Sequence, residues 1–140
     1  MTVPQEYERA SADFEKFLVD VRDIALLSTT HRAYTMAQGV LQVFRRRLGV
    51  KEALSFANAL PVGLRALFVA DWDIDAPRRP FGDHAAMNAE VLALRPDHNL
   101  STDAAIRDVA LALRQNVDEA ALDRVLARLP AGAADFWRAD

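Results

Sequence analysis

The 140-residue sequence predicts an all-α fold of about eight helices. Apolar residues recur along it at helical spacings of three, four and seven. No segment of five or more residues alternates at the strand period of two. The third observation is an internal echo: Leu60-Pro61-Val62-Gly63 returns as Leu129-Pro130-Ala131-Gly132. Each copy runs on into a bulky apolar pair, Leu67-Phe68 and Phe136-Trp137, and then into Ala70-Asp71 and Ala139-Asp140, at a constant offset of 69 from Pro61 to Pro130 and from Asp71 to Asp140. A repeat of this length is a statement about architecture. The expectation is a single domain, 1–140, made of two tandem four-helix repeats, 4–71 and 82–140. They are joined by loop 72–81 and packed into one globular bundle without a sheet.

Each element has a local reason. Tyr7, Phe14, Phe17, Leu18 and Val21 place an amphipathic helix over 4–24, with Pro4 suited to its first turn. Ser28-Thr29-Thr30 offers N-cap oxygens for a second helix. That helix buries Ala33, Met36, Ala37, Val40, Val43, Phe44 and Leu48 and is predicted to stop at Gly49. Arg45-Arg46-Arg47 falls in its last turn, where cations suit the carbonyl end of the dipole. A short third helix spans 51–59, with Ala53, Phe56, Ala57 and Leu60 inward. Pro61 breaks it and starts a fourth, whose apolar face is Leu64, Leu67 and Phe68. Gly63 costs that helix about 1 kcal/mol relative to Ala, so a close neighbour is predicted there.

The stretch 71–82 carries Pro77, Pro80 and Gly82 and has no helical pattern. Helices are then predicted near 83–94, 102–116, 119–128 and 131–138. Pro96 ends the first of these, and Asp103, Ser101 or Thr102 caps the second. Upstream of Val40 and Val109 the register is predicted to move from 69 to 73. Leu27-Ser28-Thr29 then matches Leu100-Ser101-Thr102, and Phe14, Leu18 and Val21 fall on Met87, Val91 and Leu94. Such a shift removes about one helical turn from the second copy.

Composition limits function. The chain is 51% hydrophobic, enough for a packed core. It has no cysteine, which removes disulfides, thiolate metal sites and a cysteine nucleophile. No apolar run approaches the ~20 residues that span a bilayer, and residues 1–8 lack the pattern of a signal peptide. The expected compartment is the cytoplasm, with no membrane partner. Net charge is −3, and no basic face stands out, which argues against nucleic acid and against a helix-turn-helix reader. Residues 1–70 carry 9 basic and 7 acidic side chains, and residues 71–140 carry 8 and 13. That asymmetry is compatible with head-to-tail self-association.

No catalytic, cofactor or metal constellation emerges. Asp71, Asp73 and Asp75 alternate like the start of a calcium loop, but Ala76 and Gly82 occupy the positions that need Gly and Glu. His31, His84 and His98 do not pair at ligand spacing. Ser11, Ser28, Ser55 and Ser101 lack a nucleophile turn, and no phosphate loop is present. Asp71, Asp73, Asp75 and Asp83 form the one dense acidic cluster, usable for acid–base work only if desolvated. Arg45-Arg46-Arg47 reads as a solvated helix end, with an anion grip as the other reading. The candidate patch for a partner or ligand is Trp72, Arg78, Arg79, Phe81 and His84: two arginines on a proline-stiffened loop flanked by aromatics. The competing role for Trp72 and Phe81 is to fold down and close the joint. Trp137, matched by Phe68, reads as core. Gly39 has Asp108 at its repeat position and marks either a close contact or drift.

Phe17-Leu18, Ala33, the segment 37–47 with Val40-Leu41, Leu60-Pro61, and Leu67-Phe68 ahead of Trp72 resemble the bacterial family called domain of unknown function 2267. The resemblance is strongest over 14–72 and looser over 85–138. It implies a small, cytoplasmic, helical protein with a duplicated unit, and it brings no catalytic or cofactor residues. Function is therefore unknown from sequence. The leading expectation is a non-enzymatic interaction or regulatory protein that can self-associate. The alternative is a small-ligand binder using the cleft between repeats.

Overall fold

The computed structural model describes residues 2–94 and 103–140. Among these residues all regular structure is helical, in nine segments. The first predicted helix is two: α1 (Gln5–Glu8) and α2 (Ala10–Ala25), separated at Arg9, whose φ −96 and ψ 5 leave the helical region. Then follow α3 (Thr30–Arg45), α4 (Val50–Ala57), α5 (Val62–Val69), α6 (His84–Leu94), α7 (Ala105–Arg114), α8 (Glu119–Leu126) and α9 (Ala133–Phe136). The expected stop at Pro96, the His98 position and the caps Ser101 and Thr102 lie outside the described residues.

Caps explain several boundaries. Thr29 Oγ1 accepts from Arg32 N at 3.1 Å, as predicted for α3. Asp83 Oδ1 accepts from Ala86 N at 2.7 Å, and Asp118 Oδ1 from Ala121 N at 3.2 Å. Two expectations fail. Gly49 does not end α3; it is the extended N-cap of α4, and its N–H donates to Glu52 Oε1 at 2.7 Å. Asp103 does not cap α7, whose N-cap position is Ala104. Instead Asn88 Oδ1, on α6, accepts from Ile106 N at 3.0 Å, so the start of α7 is tied to a neighbouring helix.

The core is one continuous cluster. Phe44, Phe56, Phe68, Phe136 and Trp137, all fully buried, form its aromatic centre, with ring centroids 4.7 Å apart for Phe44–Phe56 and 5.2 Å for Phe136–Trp137. The two halves of the chain interleave around it. The helix α2 packs on both α3 and α7, and α6 packs more on α3 than on α7, so each half's entry helix reaches the other half's long helix. Helices α3 and α7 meet, as do α4 and α8.

Positions recur at the predicted offset. Helix α4 runs Val50–Ala57 and α8 runs Glu119–Leu126, both ends 69 apart; Arg45 and Arg114 end α3 and α7. Polar contacts recur too. Arg47 Nη1 donates to Val43 O at 2.7 Å, and Asn116 Nδ2, 69 positions on, donates to Ala112 O at 2.7 Å. Arg47 also pairs with Glu90 of α6, while Asn116 Nδ2 donates to Asp20 Oδ2 of α2 at 2.8 Å. The entry helices do not follow the 73-residue register. Phe17 and Val21 are the buried residues of α2, and Met87 and Val91 those of α6, an offset of 70. Packing against both long helices, α3 and α7, sets which face of α2 turns inward.

Both Leu-Pro-x-Gly glycines are places of close approach, by different routes. Gly63 lies inside α5, where a β-carbon would sit 2.9 Å from Phe14 Cδ1. Gly132 lies outside α9 at φ +101, and a β-carbon there would meet Phe81 Cβ at 2.6 Å. That left-handed turn explains why the predicted helix over 131–138 is reduced to α9. Gly39 is likewise a contact, with Val91 Cγ1 3.2 Å from the place of its missing β-carbon.

Candidate functional site

The arginine triplet is not a solvated helix end. Arg45 and Arg47 are buried, with Arg45 only 8% exposed. Arg45 Nη1 donates to Phe68 O at 2.9 Å and to Ala70 O at 3.0 Å, tying the end of α3 to the end of α5. Its guanidinium carbon lies 5.6 Å from the centroid of the Trp72 ring, a cation–π arrangement. Arg47 and Arg46 both reach Glu90 of α6, and Arg79 Nη1 donates to the same carboxylate at 3.0 Å. Burial pushes the Glu90 carboxyl up, but Arg47, Arg46 and Arg79 outweigh it and hold the group below its ordinary value.

The five sequence-predicted patch residues therefore separate. Trp72 is half-buried over Arg45. Arg78 Nη2 donates to Glu52 at 2.9 Å and its Nε to Arg47 O at 3.2 Å. Arg79 N donates to Arg46 O at 3.0 Å while its side chain faces Glu90. These two arginines satisfy carbonyls left open at the end of α3. Phe81 folds down onto Phe44 and Phe136, with centroids at 5.9 and 6.4 Å, and closes the joint. His84 lies elsewhere: its Nε2 is 3.2 Å from Asp135 Oδ2, in a shallow depression with Arg107, Arg138 and Asp140.

Trp72 and Arg78 remain together, and they line a pocket of about 300 Å³ under the segment 71–78. Arg45, Arg46, Asp71 and Ile74 complete the wall that matters here. Asp71 holds φ 54, a left-handed geometry uncommon for a non-glycine residue, which turns the chain over this pocket. Burial, reinforced by the adjacent Arg46 charge and opposed by Asp71, pushes the Arg45 guanidinium below its ordinary value.

The second half has a corresponding place. Arg114 Nε donates to Trp137 O at 2.8 Å, and Trp137 is 69 positions after Phe68. Around it lies an open groove of about 630 Å³ lined by Glu119, Asp123 and Asp140 among others. Arg114 Nη1 is 3.0 Å from Asp123 Oδ1 and 3.9 Å from Glu119 Oε2. The residues that sequence reasoning passed over are thus Glu90 and Arg114, while Arg45 entered only as part of its triplet. The signal available was that Arg45 and Arg114 stand 69 apart.

Asp71, Asp73, Asp75 and Asp83 are exposed, Asp73 Oδ1 accepts from Asp75 N at 3.0 Å, and Asp83 is used as a cap. They lack the desolvation that acid–base carboxylates require. Among the described residues, no group of three or more His, Cys, Asp or Glu is placed to hold a metal, and no helix is long and apolar enough to cross a membrane.

An interleaved all-helical bundle with a guanidinium–indole pocket at its joint defines a packing class rather than a reaction. The match to a family model settles which one. Residues 14–136 match the model of the uncharacterized conserved proteins called domain of unknown function 2267, and the chain belongs to that family. A search of curated proteins finds no match.

Proposed function

We propose that this chain is a non-enzymatic helical interaction protein whose partner surface is the segment 71–79 and the adjoining face of α4, and that it acts in the cytoplasm without nucleic acid. The observation that carries this reading is the apolar rim of the joint. Ile74 is 61% exposed beside the Arg45–Trp72 pocket, and Val50 and Leu54 are exposed one helical turn apart on α4. Arginine and tryptophan are residues that interfaces enrich, and the exposed aliphatic groups beside them add apolar area. At the matching positions of α8 stand Glu119 and Asp123, so the apolar rim belongs to the first half alone.

The same reading takes the chain as a duplication, repeat one 4–71 and repeat two 82–140, supported by the recurrence of helix ends and polar contacts at 69. A cleft between the halves has less behind it. The shared core fills their junction, and between α4 and α8 a groove of about 170 Å³ is lined by Lys51, Glu52, Val125 and Leu129 among others.

The test is a photo-reactive residue at position 74, compared with one at position 119, together with solution mass over a concentration series. The expected result is an adduct specific to position 74, with the partner or with a second copy. A strictly monomeric mass with equal labelling at both positions would overturn the reading.

A further inference from the structure

Among the described residues two non-glycine positions hold a positive φ, Asp71 at 54 and Leu26 at 58. Aspartate tolerates this left-handed geometry, whereas leucine carries its full steric cost. Leu26 closes α2. Its own N–H and that of Leu27 both donate to Arg22 O, the latter at 2.9 Å, a turn that ordinarily places glycine or asparagine at this position. No packing offsets the strain, since Leu26 is 89% exposed, more than any other large apolar side chain described. Three residues on, Thr29 caps α3, so residues 26–29 form a short, tightly set turn.

This turn holds α2 in place, and the seat of α2 lies beyond it in the chain. Apart from α1, the helices that α2 packs on, α3, α5 and α7, all follow residue 29. Phe17 and Val21 are buried there, Phe14 fits against Gly63, and Lys16 Nζ and Asp20 Oδ2 meet Asn116 at 3.2 and 2.8 Å. None of these contacts specifies which copy of the chain supplies the helix. We propose that α1 and α2 are exchanged between two copies of this chain, with residues 26–29 as the hinge, so that each copy's α2 fills its partner's seat. The seat contacts are the same in both forms and cancel, which leaves the hinge to decide. Opening releases a leucine from the left-handed region twice per dimer, and the two hinge segments, crossing, give each Leu26 an apolar neighbour. Against this stand the turn bonds to Arg22 O and the freedom lost on association, so exchange depends on concentration. Phe17 and Val21 must leave the shared core before α2 can move, which makes exchange slow in the folded protein and faster during folding. The surface at 71–79 takes no part, so this inference stands apart from the interaction reading above.

The sequence has no cysteine, so introduced thiols report without background. A β-carbon on Gly63 would lie 3.0 Å from Phe14 Cβ, near the separation a disulfide needs. The experiment mixes full-length Phe14→Cys and Gly63→Cys chains in denaturant and refolds them together at high concentration. The expected result is a disulfide between the two chains, well above what either variant forms alone. Lys16→Cys with Asn116→Cys, joined by a short bis-maleimide, repeats the test at positions outside the aromatic core. Sedimentation over a concentration series then reads the hinge. Leu26→Gly removes the strain from the closed form and should weaken the dimer about ten-fold, since each dimer has two hinges. Leu26→Val, β-branched and worse suited to a positive φ, should strengthen it by a similar factor. Absence of an inter-chain bridge from both pairs, or a dimer equally strong in Leu26→Gly and Leu26→Val, sinks the inference. A dimer that bridges through position 74 but through neither pair also sinks it and leaves the surface at 71–79 standing.

Discussion

Arg45 and Arg114 end helices 69 positions apart and each bonds a carbonyl 23 residues on, yet Arg114 pairs with Asp123 at 3.0 Å while Arg45 lies over the Trp72 indole with Asp71 and Asp73 in the same pocket. The shared part is structural. A guanidinium at the end of the long helix satisfies a carbonyl at the end of a later segment, Phe68 or Trp137, and locks the two together. The unshared part is surface chemistry. Where α8 presents Glu119 and Asp123, α4 presents Val50 and Leu54. The same kind of carbonyl contact is thus made under two different outer surfaces, acidic over α8 and apolar over α4.

The sharpest way to break the comparison is to ask whether the halves are independent. They share one core, so Trp137→Ala should destabilise the whole chain by about 3–5 kcal/mol, and Phe68→Ala by a similar amount. Denaturant unfolding followed by probes in both halves should show one transition in each variant. Two separated transitions would mean that interleaving does not couple the halves.

The glycines give a smaller and more discriminating difference. Gly132→Ala must place a side chain at φ +101 against Phe81, at a cost of about 2–3 kcal/mol. Gly63→Ala meets Phe14 but regains about 1 kcal/mol of helix propensity, so it should be the milder change by at least about 1 kcal/mol. Equal midpoint shifts would show that the two corners are not distinct.

Next comes the pair of cross-half carboxylates. Glu90, held by three arginines, is more strongly paired than Asp20, which receives Lys16 and Asn116. Glu90→Gln should cost about 1–2 kcal/mol at neutral pH, reduced from a fully buried value because Arg46 and Arg79 reach water. The folded-state proton affinity of Glu90 is lowered. Its stabilisation is therefore fully present above the unfolded carboxylate value of 4.5 and is lost as pH falls through the lower folded value. Asp108, 7% exposed at the position equivalent to Gly39, has the opposite sign, because burial raises it against a smaller lowering by Arg107. Ionising it removes stability as pH rises from 3.8 through the raised folded value. Stability measured against pH should lose its acid-side slope in Glu90→Gln and gain at neutral pH in Asp108→Asn. Parallel profiles for wild type and both variants would contradict the assignment.

The smallest effect is at the exit of α2. Leu26 caps that helix at φ 58 and is 89% exposed, so its side chain contributes strain and little burial. Leu26→Gly should raise stability by about 0.5–1 kcal/mol, seen as a higher thermal midpoint.

Much of this fold was legible in particular residues. Val40, Phe44, Phe56, Phe68 and Leu113 were inward by spacing and are buried. Pro61 broke the chain where α5 begins, and Thr29 capped α3. Gly63 announced a close neighbour, which is Phe14. The site was less legible. Phe81 and Trp72 were noted together, and both pack against the core, but Trp72 also lines the pocket under 71–78. Arg45 was read within its triplet as a solvated helix end, with an anion grip as the other reading, because an arginine in a last helical turn ordinarily faces water.

Sequence alone determined the helical class, the breaks, most of the inward faces and the 69-residue echo, because each is written in the local order of apolar residues, prolines and glycines. Only the tertiary structure decided that α2 and α6 each reach the opposite half's long helix, with buried faces at a register of 70, that Glu90 gathers three arginines, and that Arg45 is buried against the Trp72 indole. Those outcomes depend on which distant segments the chain brings together. Periodicity says which face of a helix turns inward, but not what charge or indole will stand opposite it.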